Sequence, residues 1–318
     1  MDKISIILAI YNGELFLREQ LDSIANQTLK PSEIIIVDDA STDNSIDIVN
    51  NWKKRIDVPC KILKNEKNMG ACRSFERGLE LASGDYISFS DQDDIWKEDK
   101  NSKLFNKMKE IEFKYGDIPI LVHSDLEVVM ENVKTISESL LDYEGINHIE
   151  SKDKYKTVLV HNFVTGCAMM INKKARDYSL PFSGKIIMHD WWIALVVATL
   201  GEIGFVDEPL IKYRQHANNV YGARSYLSFK GLCGAIDIRK RLKRIDEIIN
   251  QTSFLVERIK LVCGNSSKLY KELISIFYCM CKGDVYALWK YNVKQQGAFR
   301  TGLLYILLLL RSFGVFKN

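Results

Sequence analysis

Continuous apolar runs alternate with amphipathic stretches through the first ninety residues. Ile4–Ile10 is a nearly unbroken apolar run of strand length. Residues 14–25 follow, with Leu17, Leu21 and Ile24 at helical spacing. A second β-branched run covers 33–37, and residues 43–52, with Ile46, Ile48 and Val49, read as a helix. Residues 61–63 form a short third strand, Ala71–Leu81 a helix, and Tyr86–Ser90 a fourth strand. Strands without a polar face are buried on both sides, as in a parallel sheet covered by crossover helices. Right-handed crossovers then predict an α/β chain with a doubly wound, Rossmann-like, mostly parallel sheet. Such sheets bind ligands at the C-terminal ends of their strands. The polar residues there are Tyr11, Asn12 and Gly13, then Asp38 and Asp39, then Asn68 and Gly70, then Asp91, Asp93 and Asp94. All four groups are predicted to meet along one edge.

The pattern changes further along. Residues 115–215 mix short strands with one strong helix, His189–Leu200. From about residue 225 the spacing is helical: positions 238, 242, 245, 249, 252, 256 and 259 form a mostly apolar stripe. The same helix carries RKRLKR at 239–244. The apolar run at 302–310 lies between Arg300 and Arg311 and is too short to span a bilayer.

Composition narrows the class. The chain has 318 residues, 47% hydrophobic and 27% charged, enough for a sizeable core. A net charge of only +3 argues against a nucleic-acid partner held by overall charge. Seven cysteines include no CxxC pair, which predicts small buried hydrophobes in a reducing compartment. The N-terminal apolar stretch is short and leads straight into polar sequence, unlike a signal peptide, so a cytoplasmic location is expected.

Neither GxxxxGK[ST] nor GxGxxG after a strand occurs. Carboxylates hold an anionic ligand only through a divalent metal, which is hard and prefers oxygen. That is the role expected of the 91–94 cluster. With "SIILAIYNGE", "EIIIVDDASTD", "NMG", "GDYISFSDQDDIW", "TGCAMM", "HDWW" and "YRQHANNV" in this order, residues 4–220 resemble the family 2 glycosyltransferases. "SDQDDIW" with "YRQH" resembles the bacterial branch containing rhamnosyltransferases of cell-wall and capsular polysaccharide assembly.

The resemblance implies a GT-A fold over 1–220, with a helical C-terminal region at 221–318. It implies a nucleotide-diphosphate sugar donor and a divalent metal, Mg²⁺ or Mn²⁺. Asp93 is then the metal ligand, and Asp91 supports the ribose or the metal's waters. Asp94 is read as a cap for a helix at 97–107. Asp39 is expected to accept from the imide N–H of uracil or thymine, or to serve as a turn residue. Tyr11 and Asn12 lie where the family packs the nucleotide, with Asn68 and Gly70 as further candidates. The family's "ARN" pattern is absent, and the arginine is displaced to Arg73 in "ACRSFERG". Asp190, in "MHDWW", matches the catalytic base, at a helix N-terminus whose dipole lowers its pKa. Trp191 and Trp192 are either a sugar-stacking face or core. His216 is placed near the metal or diphosphate, Arg214 is a candidate diphosphate partner, and Gly166 resembles the glycine turn that frames donor and acceptor.

The expected activity is metal-dependent inverting transfer of a sugar, from dTDP-rhamnose, to a polysaccharide or lipid-linked acceptor. Alternatives are a UDP-hexose or UDP-N-acetylhexosamine donor, or a non-catalytic sugar-nucleotide or glycan binder. For residues 225–318 two readings stay open. One is an interfacial contact with the inner leaflet of the membrane, where polyprenyl-linked acceptors lie. The other is a helical subdomain or homodimer interface whose leucines are buried.

Overall fold

A computed structural model describes residues 2–184, 186–216, 223 and 237–314. The predicted strands appear as β1 (Ile4–Ile10), β2 (Glu33–Asp38), β3 (Cys60–Lys64) and β4 (Tyr86–Ser90). They are parallel, in the spatial order β3-β2-β1-β4. Helices α1 (Leu17–Ala25), α2 (Ser45–Lys53) and α3 (Ala71–Leu81) connect them. Successive residues of a strand face opposite sides. Ile7, Ile35 and Val37 therefore pack with Phe75 and Leu79 of α3 on one side. Ile6, Leu8, Ile34 and Ile36 pack with Leu17, Leu21, Val49 and Trp52 of α1 and α2 on the other. The sheet is doubly wound, as the unbroken apolar runs predicted.

Beyond β4 the chain adds β5 (Ile95–Trp96), α4 (Lys100–Tyr115), β6 (Ile120–Met130), β7 (Thr135–Ser137) and α5 (Leu140–Glu144). Then follow α6 (Lys154–Val158), a 3-10 turn at Gly166–Ala168, β8 (Met169–Asn172), α7 (Lys173–Ser179), α8 (His189–Leu200) and β9 (Glu202–Gln215). Strand β8 pairs antiparallel with both β4 and β6. The long β9 runs parallel to β6 and pairs with β5 at the far edge. Among the described residues the result is one curled, mostly parallel nine-stranded sheet.

The C-terminal helices are α9 (Ile238–Cys263), α10 (Lys268–Lys282), α11 (Val285–Lys290) and α12 (Ala298–Ser312). The predicted stripe of α9 is buried from Leu242 to Ile259, while Ile238 is exposed. That stripe, Leu273 and Ile276 of α10, and Leu304, Leu307 and Leu308 of α12 share one core with Trp192 and Val196 of α8. Trp192 stacks on Phe254 at 4.7 Å. The boundary expected at residues 220 and 221, and Cys233, lie outside the described residues. Arg300 and Arg311, expected to flank an interfacial run, turn inward. Arg300 donates to the Glu144 and Gly145 carbonyls, and Arg311 pairs with Asp246. Among the described residues no helix is long and apolar enough to cross a membrane.

Candidate active site

The ends of β1 and β2 are tied together by side chains. Asn12 adopts φ +48°, a left-handed conformation that asparagine tolerates. Its Oδ1 accepts from Thr42 N (2.8 Å), and its own N–H donates to Ser41 Oγ (3.0 Å). Tyr11, 44% exposed, has its backbone bracketed by the Gln92 amide. Tyr11 N donates to Gln92 Oε1 (2.8 Å), and Gln92 Nε2 donates to Tyr11 O (3.0 Å). A Cβ on Gly13 would lie 2.6 Å from Gln92 Cδ, so a side chain there would displace the Gln92 amide from Tyr11. Buried Asp39 accepts from Asn65 Nδ2 (2.6 Å), Met69 N (2.8 Å) and Gly70 N (2.7 Å). A carboxylate offers about four acceptor positions, so one is left over. Gly70 thus joins Asp39 through its backbone, whereas Asn68 stays exposed at the turn.

The acids after β4 crowd together. Burial, then the charges of Asp93 and Asp190, push the Asp91 carboxyl up to about 7. His216 Nε2 donates to Asp93 Oδ2 at 2.7 Å, and its ring lies 5.0 Å from Phe16. Asp190 occupies the first turn of α8. It accepts from the backbone N–H groups of Trp191 (2.6 Å) and Gly166, and Arg244 adds positive charge nearby. Burial outweighs all of these and raises Asp190 to about 6, opposite to the lowering expected from the helix dipole alone. Gly166 is packed against α8. A Cβ there would meet His189 Nε2 at 2.8 Å and Asp190 Cβ at 3.4 Å.

Two expectations, for Asp94 and Arg214, require correction, and the open alternatives for Trp191, Trp192 and Arg73 narrow. Asp94 does not cap a helix. The β5 segment carries the chain inward, Asp94 is fully buried with Oδ1 accepting from Arg214 N (3.2 Å), and Asp99 holds the N-cap position of α4. Arg214, expected at a diphosphate, is 2% exposed. Its guanidinium donates to the Asp93 and Glu131 carbonyls and to Glu19, so it holds the Asp93 loop from behind. Trp191 and Trp192 are core residues, not a stacking face: their indole N–H groups donate to Val158 O (2.6 Å) and Ser179 O (2.9 Å). Arg73 pairs with Glu76 along the half-exposed side of α3.

These features meet in known proteins. The chain matches the profile of "Glycosyl transferase family 2" over residues 5–179. It belongs to that family. It is 29% identical over 271 residues to the dTDP-rhamnosyl transferase RfbG of Shigella flexneri, covering 78% of this chain and 86% of the relative. Two solved structures share the fold. S. aureus TarS 1–349, in complex with UDP-GlcNAc, gives a TM-score of 0.56 at 16% identity, covering 99% of this chain and 93% of that one. The mannosyltransferase PcManGT from Pyrobaculum calidifontis, in complex with GDP-Man and Mn²⁺, gives 0.54 at 14% identity, covering 100% and 88%. The fold is GT-A, and the chain is a glycosyltransferase.

In this glycosyltransferase the acid cluster fits a divalent cation. Asp91 and Asp93 crowd at a strand end, and buried Asp94 Oδ2 has no N–H or O–H donor among the described residues. Oxygen donors with unbalanced charge suit a hard ion. Cys167 lies within 4.8 Å of the ligand atoms of Asp91 and Asp94, but burial keeps it a thiol, whose single S–H lies within reach of either carboxylate. Behind them Lys100 Nζ is buried 3.2 Å from the Trp96 ring centroid, with burial pulling it down to about 7. Sequence reasoning missed Gln92, Asn65, Cys167, Lys100 and Arg244. Gln92 stood between two aspartates and offered a signal. Asn65, Cys167 and Arg244 act across 26 or more residues and offered none, and Lys100, though close in sequence to Trp96 and Asp94, reads as an ordinary exposed helix lysine.

Proposed function

We propose that this glycosyltransferase inverts configuration, moving rhamnose from dTDP-rhamnose to a polysaccharide or lipid-linked saccharide at the cytoplasmic face of the membrane. The observation that carries the reading is the convergence of Asp91, Asp93 and Asp190, with Asp190 raised to about 6. A base works best when its pKa approaches the working pH. Asp190 takes the proton of the acceptor hydroxyl as that oxygen bonds to the anomeric carbon. The bond from that carbon to the diphosphate breaks, and its electron pair leaves with the diphosphate. Asp93 and Asp91 would hold a Mg²⁺ or Mn²⁺ ion, with His216 beside Asp93; when bound, the ion offsets charge on the leaving diphosphate. The remaining acceptor position of Asp39 suits the imide N–H of thymine, and Tyr11, just past the end of the neighbouring β1, is exposed. The similarity to a dTDP-rhamnosyl transferase supports rhamnose.

Uracil presents the same imide edge, so a UDP-sugar is the second reading. The test is release of nucleoside diphosphate from a panel of dTDP-, UDP- and GDP-sugars with Mn²⁺. Release from dTDP-rhamnose, lost in Asp190→Asn, supports the proposal. Preference for a UDP-sugar moves the donor. Binding without any release marks a non-catalytic binder.

A further inference from the structure

The outer face of α12 is apolar and uncovered. Phe299 is 60% exposed, Ile306 55% and Phe313, just past the helix, 78%. Steps of seven residues return to nearly the same side of a helix. These three therefore form one stripe, about 21 Å long from the rise per residue. The opposite face is bound to the protein through Leu304, Leu307 and Leu308. The stripe is thus not an unfilled core position.

The charge around it selects the occupant. From residue 285 to 318 the sequence has no Asp or Glu. With Arg300 held by the Glu144 and Gly145 carbonyls and Arg311 offset by Asp246, the basic groups left to an outside partner among the described residues there are Lys290 and Lys294. Lys290 and Lys294 are exposed. A symmetric dimer through this face would set two such basic segments against each other, since a two-fold interface repeats the same patch on both subunits. An anionic bilayer complements both the charge and the aromatic side chains. No described helix can span, so the contact lies on the surface.

We propose that α12 is a docking helix that lays its Phe299–Ile306–Phe313 stripe into the surface of an anionic lipid bilayer. This deepens the membrane-side reading given above and names its surface. The N-terminus of α12 is also tied to the segments that lead into the active site. Gln296 exchanges two hydrogen bonds with the Asn147 backbone (2.6 and 2.7 Å), and Gln295 donates to Val160 O (2.8 Å). Docking through α12 therefore fixes the orientation of the chain that runs on to Gly166.

The experiment is cosedimentation of the full chain with phosphatidylcholine vesicles, with and without phosphatidylglycerol, using gel filtration to size the protein. Wild type is expected to sediment with phosphatidylglycerol vesicles and to release in high salt. Phe299→Ser/Ile306→Ser, with unchanged melting temperature, is expected to lower partitioning about tenfold or more. Lys290→Gln/Lys294→Gln is expected to lower it on anionic vesicles alone. Equal partitioning of wild type and the stripe variant overturns the proposal, as does wild type remaining in the supernatant. A dimer that the stripe variant dissociates also overturns it and makes a second copy the occupant. Nucleotide release, measured on the same samples without vesicles, separates failure of the catalytic reading from failure of docking.

Discussion

Asp190 is held by two opposing effects. Burial disfavours its charge, and the amides of Trp191 and Gly166 favour it. The balance, at about 6, predicts an acid limb in kcat that falls as pH drops through that value, since only the carboxylate accepts a proton. Asp190→Asn is expected to lower kcat by roughly 10²–10⁴ with donor affinity retained, the usual range for a general base. A stopped assay across pH with a binding titration checks both. Gly166→Ala places a methyl against His189 and Asp190, so kcat is expected to fall about tenfold or more with donor KM little changed. Steady-state kinetics separates this from general destabilisation, which lowers the active fraction alone. At this scale the crowding of Asp91 and Asp93 was legible in their spacing, whereas Asp39 and Asp190 were singled out by the family resemblance. Arg214 was misread because its partners Glu19, Asp93 and Glu131 lie 83 to 195 residues away.

Elements β1 to β4 carried the clearest signal, and one carboxylate locks their other end. Glu33, at the start of β2, accepts from Ser5 Oγ (2.7 Å), Ser83 N (2.7 Å), Ser83 Oγ (2.8 Å) and Lys61 Nζ (3.0 Å). Burial opposes its charge, but these donors outweigh it and bring the carboxyl down to about 2 from 4.5. A depressed pKa stabilises the fold above the unfolded value and loses that stability as pH falls through the folded one. Unfolding melts should therefore show a contribution on the order of 2 kcal/mol lost between pH 4.5 and 2. Glu33→Gln is expected to remove that dependence and lower stability at neutral pH; an unchanged pH profile contradicts the assignment. Strands β8 and β9 were not legible. Three apolar residues followed by Asn172 in β8 carry no usable period, and β9 is long, bulged against β6 and half-buried, so neither face stands out.

At the scale of the whole molecule, the end of β4 and the start of α8 bring Asp91, Asp93 and Asp190 together, and the C-terminal helices share the core on which α8 packs. The helical periodicity of α9 was legible, but its basic run pointed elsewhere. Arg244, within that run, lies over the Trp191 ring at 4.9 Å and lends charge to Asp190. The apolar run at 302–310 puts Leu304, Leu307 and Leu308 into the core, as the buried reading expected, and leaves Ile306 exposed on the other face. Every part of the catalytic proposal depends on the acid cluster holding a diphosphate through a divalent cation. Calorimetric titration of dTDP into the full chain tests this most directly, run in Mn²⁺ and again in EDTA, with Asp93→Asn beside wild type. Saturable binding in Mn²⁺, weakened about tenfold or more by EDTA and by the substitution, is the predicted result. Equal binding in Mn²⁺ and EDTA contradicts it.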